Sequence, residues 1–178
     1  MLSQEIIFAG FGGQGILSAG KYLVYAGMNA GLNVSWLPSY GPEMRGGTAN
    51  CSVVLSDGDI GSPIVISPDT LVVMNRPSLD KFEKNLKSKG LLILDLDIVN
   101  REPIRKDIGV IPIPAQAFAK QLGDKRIANM ILLGALIFKT KIVSMEILLN
   151  TLREHGKEEF YELNRAALEI GSAFAKKL

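Results

Sequence analysis

The residues with the clearest chemical potential form one short run, Gly10-Phe11-Gly12-Gly13-Gln14-Gly15. Glycines at positions 10, 12 and 15 fit the spacing GxGxxG, in which the backbone turns tightly and a ligand can approach without meeting a Cβ atom. A helix beginning behind this turn would direct unpaired N–H groups and the positive end of its dipole at an anion such as a phosphate. The same glycines also suit a close strand-to-helix turn with no ligand, so the motif alone leaves both interpretations open.

The residues around this turn supply part of the expected context. The apolar run Ile6-Ile7-Phe8-Ala9 predicts a buried strand at about residues 4–9, and apolar residues recur at helical spacing over about 16–30. A dinucleotide site also needs an acidic residue about 20 positions further on, to bind the ribose hydroxyls. The stretch 31–39 has no Asp or Glu, and the first acidic residue after the turn is Glu43. The sequence therefore disfavours an NAD site but keeps a nucleotide-like turn.

A second glycine-rich stretch occupies residues 40–47, where three glycines and a proline exclude regular structure. Its charged residues can pair with each other, or the guanidinium can bind a carboxylate or phosphate. We interpret the stretch either as a connecting loop with a solvated charge pair or as a loop that faces a substrate or partner chain. The candidate residues in it are Tyr40, Glu43, Arg45, Gly46 and Gly47.

The other reactive side chains favour structural roles. His155, the only histidine, precedes a glycine at a predicted helix end, where it would interact with the helix dipole. Cys51 is expected to be a small buried hydrophobic residue rather than a nucleophile. Asp95 ends a predicted strand at the side of the sheet where ligands collect, but no histidine or acidic cluster supports a metal site there. We therefore predict no catalytic residue and no metal ligand in this chain.

Strands and helices alternate in the first two thirds of the sequence, and helices alone follow. This order predicts one α/β domain over residues 1–178, a three-layer α/β/α arrangement whose mostly parallel sheet is Rossmann-like and whose C-terminal part is helical. The unit 70–95 is predicted to be a strand, a helix and a parallel strand. Further strands are expected at about 33–38, 48–56, 60–66, 71–74, 91–95 and 110–113, and helices at about 77–87, 115–122, 126–139, 144–155 and 158–176.

Composition excludes several classes of protein. The 178 residues include 47% hydrophobic residues, which is ordinary for a globular domain, and 20 basic and 18 acidic residues are interspersed without the basic patch of a nucleic-acid-binding protein. One cysteine cannot form an internal disulfide or hold an iron–sulfur cluster alone. The N-terminus lacks the pattern of a secretion signal, and the longest apolar run, Ile127 to Phe138, is too short to span a bilayer. We expect a cytoplasmic protein.

Several motifs in order make the sequence specific. The chain resembles the gamma subunits of 2-oxoacid:ferredoxin oxidoreductases, which include pyruvate, 2-oxoglutarate and branched-chain enzymes. Within this family it looks most like the 2-oxoglutarate or branched-chain 2-oxoacid type, and we expect the 2-oxoglutarate type. The resemblance covers about the whole chain, and the long second motif carries most of its weight. The matching residues are Gly10-Phe11-Gly12-Gly13-Gln14-Gly15-Ile16, Ser39 to Cys51, Ser62-Pro63, Met74-Asn75-Arg76-Pro77-Ser78, Asn129-Met130 and Gly134-Ala135.

The resemblance implies a complex that oxidatively decarboxylates a 2-oxoacid to an acyl-coenzyme A and passes two electrons to external ferredoxin. Thiamine diphosphate with Mg²⁺ and the iron–sulfur clusters would belong to partner alpha, beta and delta subunits, the last of them ferredoxin-like. This chain would assemble and shape the site, and alone it would be inactive. Its glycine turn and its 40–47 loop would face coenzyme A or partner subunits.

Two other functions fit the glycine turn. One is a stand-alone nucleotide-dependent oxidoreductase of the Rossmann type, against which the missing strand-end acid speaks. The other is a regulatory module that binds a nucleotide without chemistry. Both predict that the isolated chain binds a nucleotide, whereas an assembly subunit need not.

Overall fold

The structure, a computed structural model, describes residues 2–40 and 48–178, with Tyr40 described by its backbone alone. Six strands form one sheet in the order β2-β3-β1-β4-β5-β6. Their bounds are β1 Ser3–Phe11, β2 Asn33–Tyr40, β3 Thr48–Ser56, β4 Thr70–Val73, β5 Leu91–Asp95 and β6 Gly109–Ile113. The helices are α1 Ile16–Asn29, α2 Arg76–Phe82, α3 Ala115–Gln121, α4 Ala128–Thr140, α5 Met145–His155 and α6 Tyr161–Lys176.

The middle of β1 lies in the interior because four successive apolar residues, Ile6 to Ala9, are buried on both faces of the sheet. Alternate residues point to opposite faces, so Ile6 and Phe8 join one apolar cluster while Ile7 and Ala9 join the other. The first cluster lies under α1 and α3 to α6. The second is covered by α2 and by the irregular segments 57–69 and 96–108. The predicted three-layer α/β arrangement is thereby confirmed.

One strand runs against the others. β1 pairs in parallel with β4, β4 with β5 and β5 with β6, whereas β3 is antiparallel to both β1 and β2. The two edge strands each contain a proline, Pro38 in β2 and Pro112 in β6, which removes a backbone donor and protects a sheet edge from further pairing. The mostly parallel sheet and the strand-helix-strand unit at 70–95 match the sequence prediction.

Two predicted elements differ from the structure. The prediction of a strand at 60–66 is wrong, because Ile64 and Ile66 are exposed around a buried Val65 and Pro63 has no N–H for a ladder. The helix predicted at 77–87 ends at Phe82 and continues only as a short 3₁₀ turn. The C-terminal helices agree with their predicted ranges to within about three residues, as boundary assignments commonly do.

Candidate functional site

The two helices that follow β1 and β4 leave toward opposite faces of the sheet. β1 leads into α1, which packs with the first apolar cluster, and β4 leads into α2, which packs with the second. The carboxyl ends of these two parallel neighbours therefore flank a topological switch point, the place where ligands collect in open α/β sheets. The glycine turn, residues 10–15, lies on one side of this point and Asn75 on the other.

The glycine turn adopts the backbone that its sequence predicts. Gly13 has φ +93° and Gly15 has φ +73°, values that favour glycine over any residue with a Cβ atom. A Cβ atom on Gly10 would lie 2.7 Å from Gln14 Oε1 and 2.8 Å from Ile16 Cδ1, so that position also needs a glycine. By contrast, the space around Gly13 is open to at least 4 Å. The turn therefore presents an accessible backbone surface at Gly13.

Gln14 ties the turn to the neighbouring strand. Its Oε1 accepts a hydrogen bond from the Phe11 N–H at 2.6 Å, and its Nε2 donates to the Met74 carbonyl at 3.0 Å. Asn75 Nδ2 also lies 3.5 Å from the same Oε1. A single amide side chain thus links the ends of β1 and β4 across the switch point.

Asn75 is fully buried and is the N-cap residue of α2. Its Oδ1 accepts from the Ser78 N–H at 2.8 Å, which is the usual N-cap geometry, and Pro77 occupies the second helical position, where no backbone donor is needed. The sequence predicts a helix from about residue 77, and that prediction missed the cap, although an Asn three residues before Ser78 is a recognisable cap pattern.

A second amide reaches the turn from the helical C-terminal part. Asn129, in the first turn of α4, is 7% exposed and its Nδ2 donates to the Gly15 carbonyl at 2.9 Å. A Cβ atom on Gly15 would overlap this side-chain nitrogen. In the sequence Asn129 stands out only as part of the family resemblance, and no local pattern indicates this contact because 114 residues separate the two partners.

The start of α1 is left without a side-chain cap. Gly15 occupies the cap position in the left-handed region, and the first turn of the helix contains no acidic residue. A helix start of this kind retains backbone donors and the positive end of the dipole. The geometry therefore suits an oxyanion beside the glycine turn.

The second sequence motif is brought to the same edge of the sheet. Thr48, the first residue of β3, pairs with Phe11 at the end of β1, and Tyr40 of β2 pairs with Ala49. The predicted candidates Glu43, Arg45, Gly46 and Gly47, and the side chain of Tyr40, lie outside the described residues. The described chain on either side of residues 41–47 therefore ends next to the glycine turn.

The missing strand-end acid has a structural counterpart. In a dinucleotide-binding unit, the acidic side chain projects from the strand next to the first one. Here β3 lies between β1 and β2, which moves the end of β2 about 10 Å from β1, two strand spacings. The end of β2, residues 37–40, carries no acid. The strand order and the lack of an acidic residue therefore both disfavour the contact that a dinucleotide-binding unit makes with the ribose hydroxyls.

Asp95 and Asp97 serve the local structure. Asp95 accepts hydrogen bonds from Gln116 Nε2 at 3.0 Å and from the Asp97 N–H at 3.2 Å, while Asp97 accepts from the Ala117 N–H at 2.8 Å in the first turn of α3. Burial raises the pKa of Asp95 above its ordinary value, and the Gln116 hydrogen bond acts in the opposite direction. Among residues 2–40 and 48–178, no three His, Cys, Asp or Glu side chains are grouped as metal ligands.

The remaining candidates also lie in structural settings. Cys51 is fully buried in β3, and burial raises the pKa of its thiol to about 12, which suppresses the thiolate. His155 is the last residue of α5, as predicted, and its ring stacks on Tyr25 with 4.1 Å between centroids.

In the described parts of the chain, no helix combines the length and apolarity needed to cross a bilayer.

Comparison with protein families gives one match over nearly the whole chain. The family model described as pyruvate ferredoxin/flavodoxin oxidoreductase matches residues 5–174. The 2-oxoglutarate synthase subunit KorC of Methanocaldococcus jannaschii is 35% identical over 180 residues, covering 99% of this chain and 96% of that protein. The ketoisovalerate oxidoreductase subunit VorA of Methanothermobacter marburgensis is 39% identical over 179 residues. That match covers 97% of this chain but only 37% of VorA, so the chain spans about a third of that relative's length.

Solved structures give the same result. The keto/oxoacid ferredoxin oxidoreductase gamma subunit from Geobacter sulfurreducens PCA superimposes with a TM-score of 0.86 and 32% identity, covering 98% of this chain and 99% of that chain. A 2-oxoglutarate:ferredoxin oxidoreductase from Magnetococcus marinus, with 2-oxoglutarate, coenzyme A and succinyl-CoA bound, gives a TM-score of 0.90 and 28% identity. This second match covers the whole of the present chain and 32% of that chain.

Proposed function

This chain belongs to the pyruvate ferredoxin/flavodoxin oxidoreductase family, and from that premise we propose that it is the gamma subunit of a 2-oxoacid:ferredoxin oxidoreductase that works in the cytoplasm. The complex would convert a 2-oxoacid and coenzyme A to an acyl-coenzyme A and CO₂, and two electrons would pass to ferredoxin. The observation that carries the proposal is the similarity to the Geobacter gamma subunit over the full length of both chains.

We propose 2-oxoglutarate as the substrate of the complex. Several KorC proteins of 2-oxoglutarate synthases are 31% to 37% identical to this chain over nearly its whole length. A branched-chain 2-oxoacid is the alternative, and the 39% identity to VorA favours it. Pyruvate is less supported, since the pyruvate synthase subunit PorC of Methanothermobacter thermautotrophicus is 27% identical.

The role of this chain in the complex would be assembly and binding rather than redox chemistry. Its single cysteine is buried and cannot ligate an iron–sulfur cluster alone. Thiamine diphosphate, Mg²⁺ and the clusters would be held by the alpha, beta and delta partner subunits. Cofactors of this kind perform the difficult chemistry, and the surrounding protein positions the substrate and excludes competing reactions.

We propose further that the glycine turn contacts coenzyme A, with a phosphate oxygen beside the start of α1. The uncapped helix start and the open space around Gly13 support this contact. The neighbouring 40–47 loop would face the same ligand or a partner subunit, with Arg45 as the anion-binding side chain. Its anchoring residues Thr48 and Tyr40 end beside the turn.

Purification of the tagged chain from its native source tests the assignment. We expect thiamine-binding and ferredoxin-like chains to copurify, and the complex to reduce a viologen dye with 2-oxoglutarate and coenzyme A faster than with 2-oxoisovalerate, pyruvate or indolepyruvate. Faster reduction with 2-oxoisovalerate would replace 2-oxoglutarate by the branched-chain alternative. Turnover of a 2-oxoacid by the chain alone, or tight NAD(P)H binding to it, would overturn the subunit role in favour of a stand-alone oxidoreductase.

Two pairs of variants test the proposed contacts in the complex. Gly13→Ala is matched by Gly31→Ala, because both glycines have positive φ and open space around them. We expect Gly13→Ala alone to raise the KM for coenzyme A. Arg45→Ala is matched by Arg165→Ala on the exposed face of α6, and only the former should weaken assembly or acyl-coenzyme A formation. Equal effects within a pair would remove that residue from the site.

A further inference from the structure

A small cleft lies on the outer face of α1, beside the carboxyl end of α5. It has a volume of about 230 Å³ and is lined by Ser18, Lys21, Tyr22, Tyr25 and His155. One water molecule occupies about 30 Å³ of liquid, so this volume accommodates a group of several heavy atoms. We call it the α1 cleft.

Aromatic contacts hold the Lys21 and His155 side chains of the α1 cleft in place. The rings of Tyr25 and His155 stack at 4.1 Å with an angle of 21° between their planes. Lys21 Nζ lies 5.5 Å from the centre of the Tyr25 ring, within the range of a cation–π interaction. The α1 and α5 sides of the cleft are therefore joined by the same tyrosine.

The lining is rich in hydrogen-bond donors and contains no carboxylate. It offers the ammonium group of Lys21, the hydroxyl groups of Ser18 and Tyr22, and the imidazole of His155. In the described parts of the chain, Lys21 forms no ion pair. Glu154 precedes His155 in the sequence. Its Oε2 accepts a hydrogen bond from Asn29 Nδ2 at 2.9 Å and lies 3.8 Å from His155 Nε2. This set of groups suits an oxyanion.

The α1 cleft follows the glycine turn along one helix. Ser18 is the third residue of α1 and Tyr25 is the tenth, so the cleft extends from about 5 to 15 Å beyond Gly15 at the helical rise of 1.5 Å per residue. A ligand reaching both places needs two separate anionic groups. Coenzyme A has such groups, a diphosphate and a 3′-phosphate monoester on the same nucleotide.

We infer that the α1 cleft binds the phosphate monoester of a nucleotide whose diphosphate lies at the glycine turn. The inference rests on the proposed function, which places coenzyme A at that turn. Lys21 supplies the charge, and Ser18 and Tyr22 supply neutral donors to the phosphate oxygens. The cleft then distinguishes coenzyme A from nucleotides that carry a diphosphate alone.

The test compares coenzyme A with 3′-dephospho-coenzyme A as substrates of the assembled complex. Lys21→Gln should raise the KM for coenzyme A about tenfold and leave the KM for the dephospho compound within about twofold, since a charge-assisted hydrogen bond is lost only with the former. Lys21→Arg should retain most of the discrimination. Lys176→Gln, an exposed lysine at the end of α6, is the matched control and should change neither value.

An equal change in both KM values, or no change in either, would overturn the inference. The Gly13→Ala variant separates this failure from failure of the proposed turn contact. If Gly13→Ala raises both KM values while Lys21→Gln leaves their ratio unchanged, the turn contact stands and the cleft assignment falls. If Lys21→Gln alters the ratio while Gly13→Ala has no effect, the cleft assignment stands and the turn contact falls.

Discussion

Asn129 Nδ2 donates a hydrogen bond of 2.9 Å to the carbonyl of Gly15, joining the first turn of α4 to the residue that caps α1. The same carbonyl accepts from the Ala19 N–H at 3.0 Å. The glycine turn is thus fixed from two directions, by its own helix and by a residue from the C-terminal part. Loss of one donor would leave the carbonyl partly satisfied.

Asn129→Ala should therefore lower the free energy of unfolding by about 1–2 kcal/mol, the usual effect of losing one buried hydrogen bond. Denaturant unfolding of the isolated chain measures the change. Asn150→Ala, on the exposed face of α5, is the control and should stay within about 0.5 kcal/mol of the parent protein. Equal effects of the two substitutions would show that the Gly15 contact does not stabilise the fold.

The three glycines with positive φ near α1 should respond differently to alanine. Gly13→Ala and Gly31→Ala meet open space, so each should cost about 1–2 kcal/mol from the left-handed backbone alone. Gly15→Ala adds an overlap with the Asn129 side chain and should cost more than either. Thermal or urea unfolding ranks the three variants, and a Gly15→Ala variant as stable as Gly31→Ala would contradict the described packing.

From the close contact between α4 and α6 we predict that glycine-to-alanine substitutions lower stability, whereas helix propensity alone predicts that they raise it. Alanine normally stabilises a helix relative to glycine, but a Cβ atom on Gly134 would overlap the Leu168 carbonyl, and one on Gly171 would overlap the Ile131 carbonyl. Gly134→Ala and Gly171→Ala should each destabilise the protein by about 1–3 kcal/mol through overpacking. Ser172→Ala, at the neighbouring position on α6, should have little effect. Stabilisation by Gly171→Ala would disprove the close contact.

The buried thiol of Cys51 predicts a dependence of stability on alkaline pH. Its pKa rises from 9.0 to about 12 on burial, so the folded state retains a proton that the unfolded state loses. This stabilising contribution is fully present below about pH 9 and is lost as the pH rises toward 12, and the loss is about 1.4 kcal/mol by pH 10. Unfolding at about pH 8 and pH 10 should show this extra loss relative to Cys51→Ala, which lacks the ionisable group. Rapid native alkylation at pH 9 would contradict the burial.

The β1-turn-α1 unit was predictable because its determinants are local. A buried apolar strand, positive-φ glycines and a 3.6-residue periodicity lie within 26 residues, from Gln4 to Asn29. The insertion of β3 between β1 and β2 was not predictable, because neither strand's own sequence specifies its neighbour in the sheet. The missing acid after Gly15 indicated that the nucleotide unit was altered, and the strand order supplies the geometric reason.

The glycines of the candidate site were predictable from the sequence, but the side chains that hold the glycine turn in place were not. Gly10, Gly13 and Gly15 follow from the conformational needs of the turn, whereas Asn129 reaches it across 114 residues. The α1 cleft combines four residues of one helix with His155, and the pairing of α1 with α5 is a tertiary relationship. We expected His155 to interact with the dipole at the end of its helix and did not predict that its ring stacks on Tyr25.

The antiparallel return of β3 has a practical consequence for exchanging parts between relatives. β2 and β3 are paired along their length: Asn33 pairs with Ser56 at one end, and Tyr40 pairs with Ala49 at the other. The hydrogen-bonded ladder therefore fixes the register of the two strands on both sides of residues 41–47. A donor connection from another family member can be spliced between these fixed ends without changing strand register. Chimaeras made at residues 41–47 would transfer any substrate or partner selectivity that depends on those residues. The strands that determine the fold would remain those of the recipient protein.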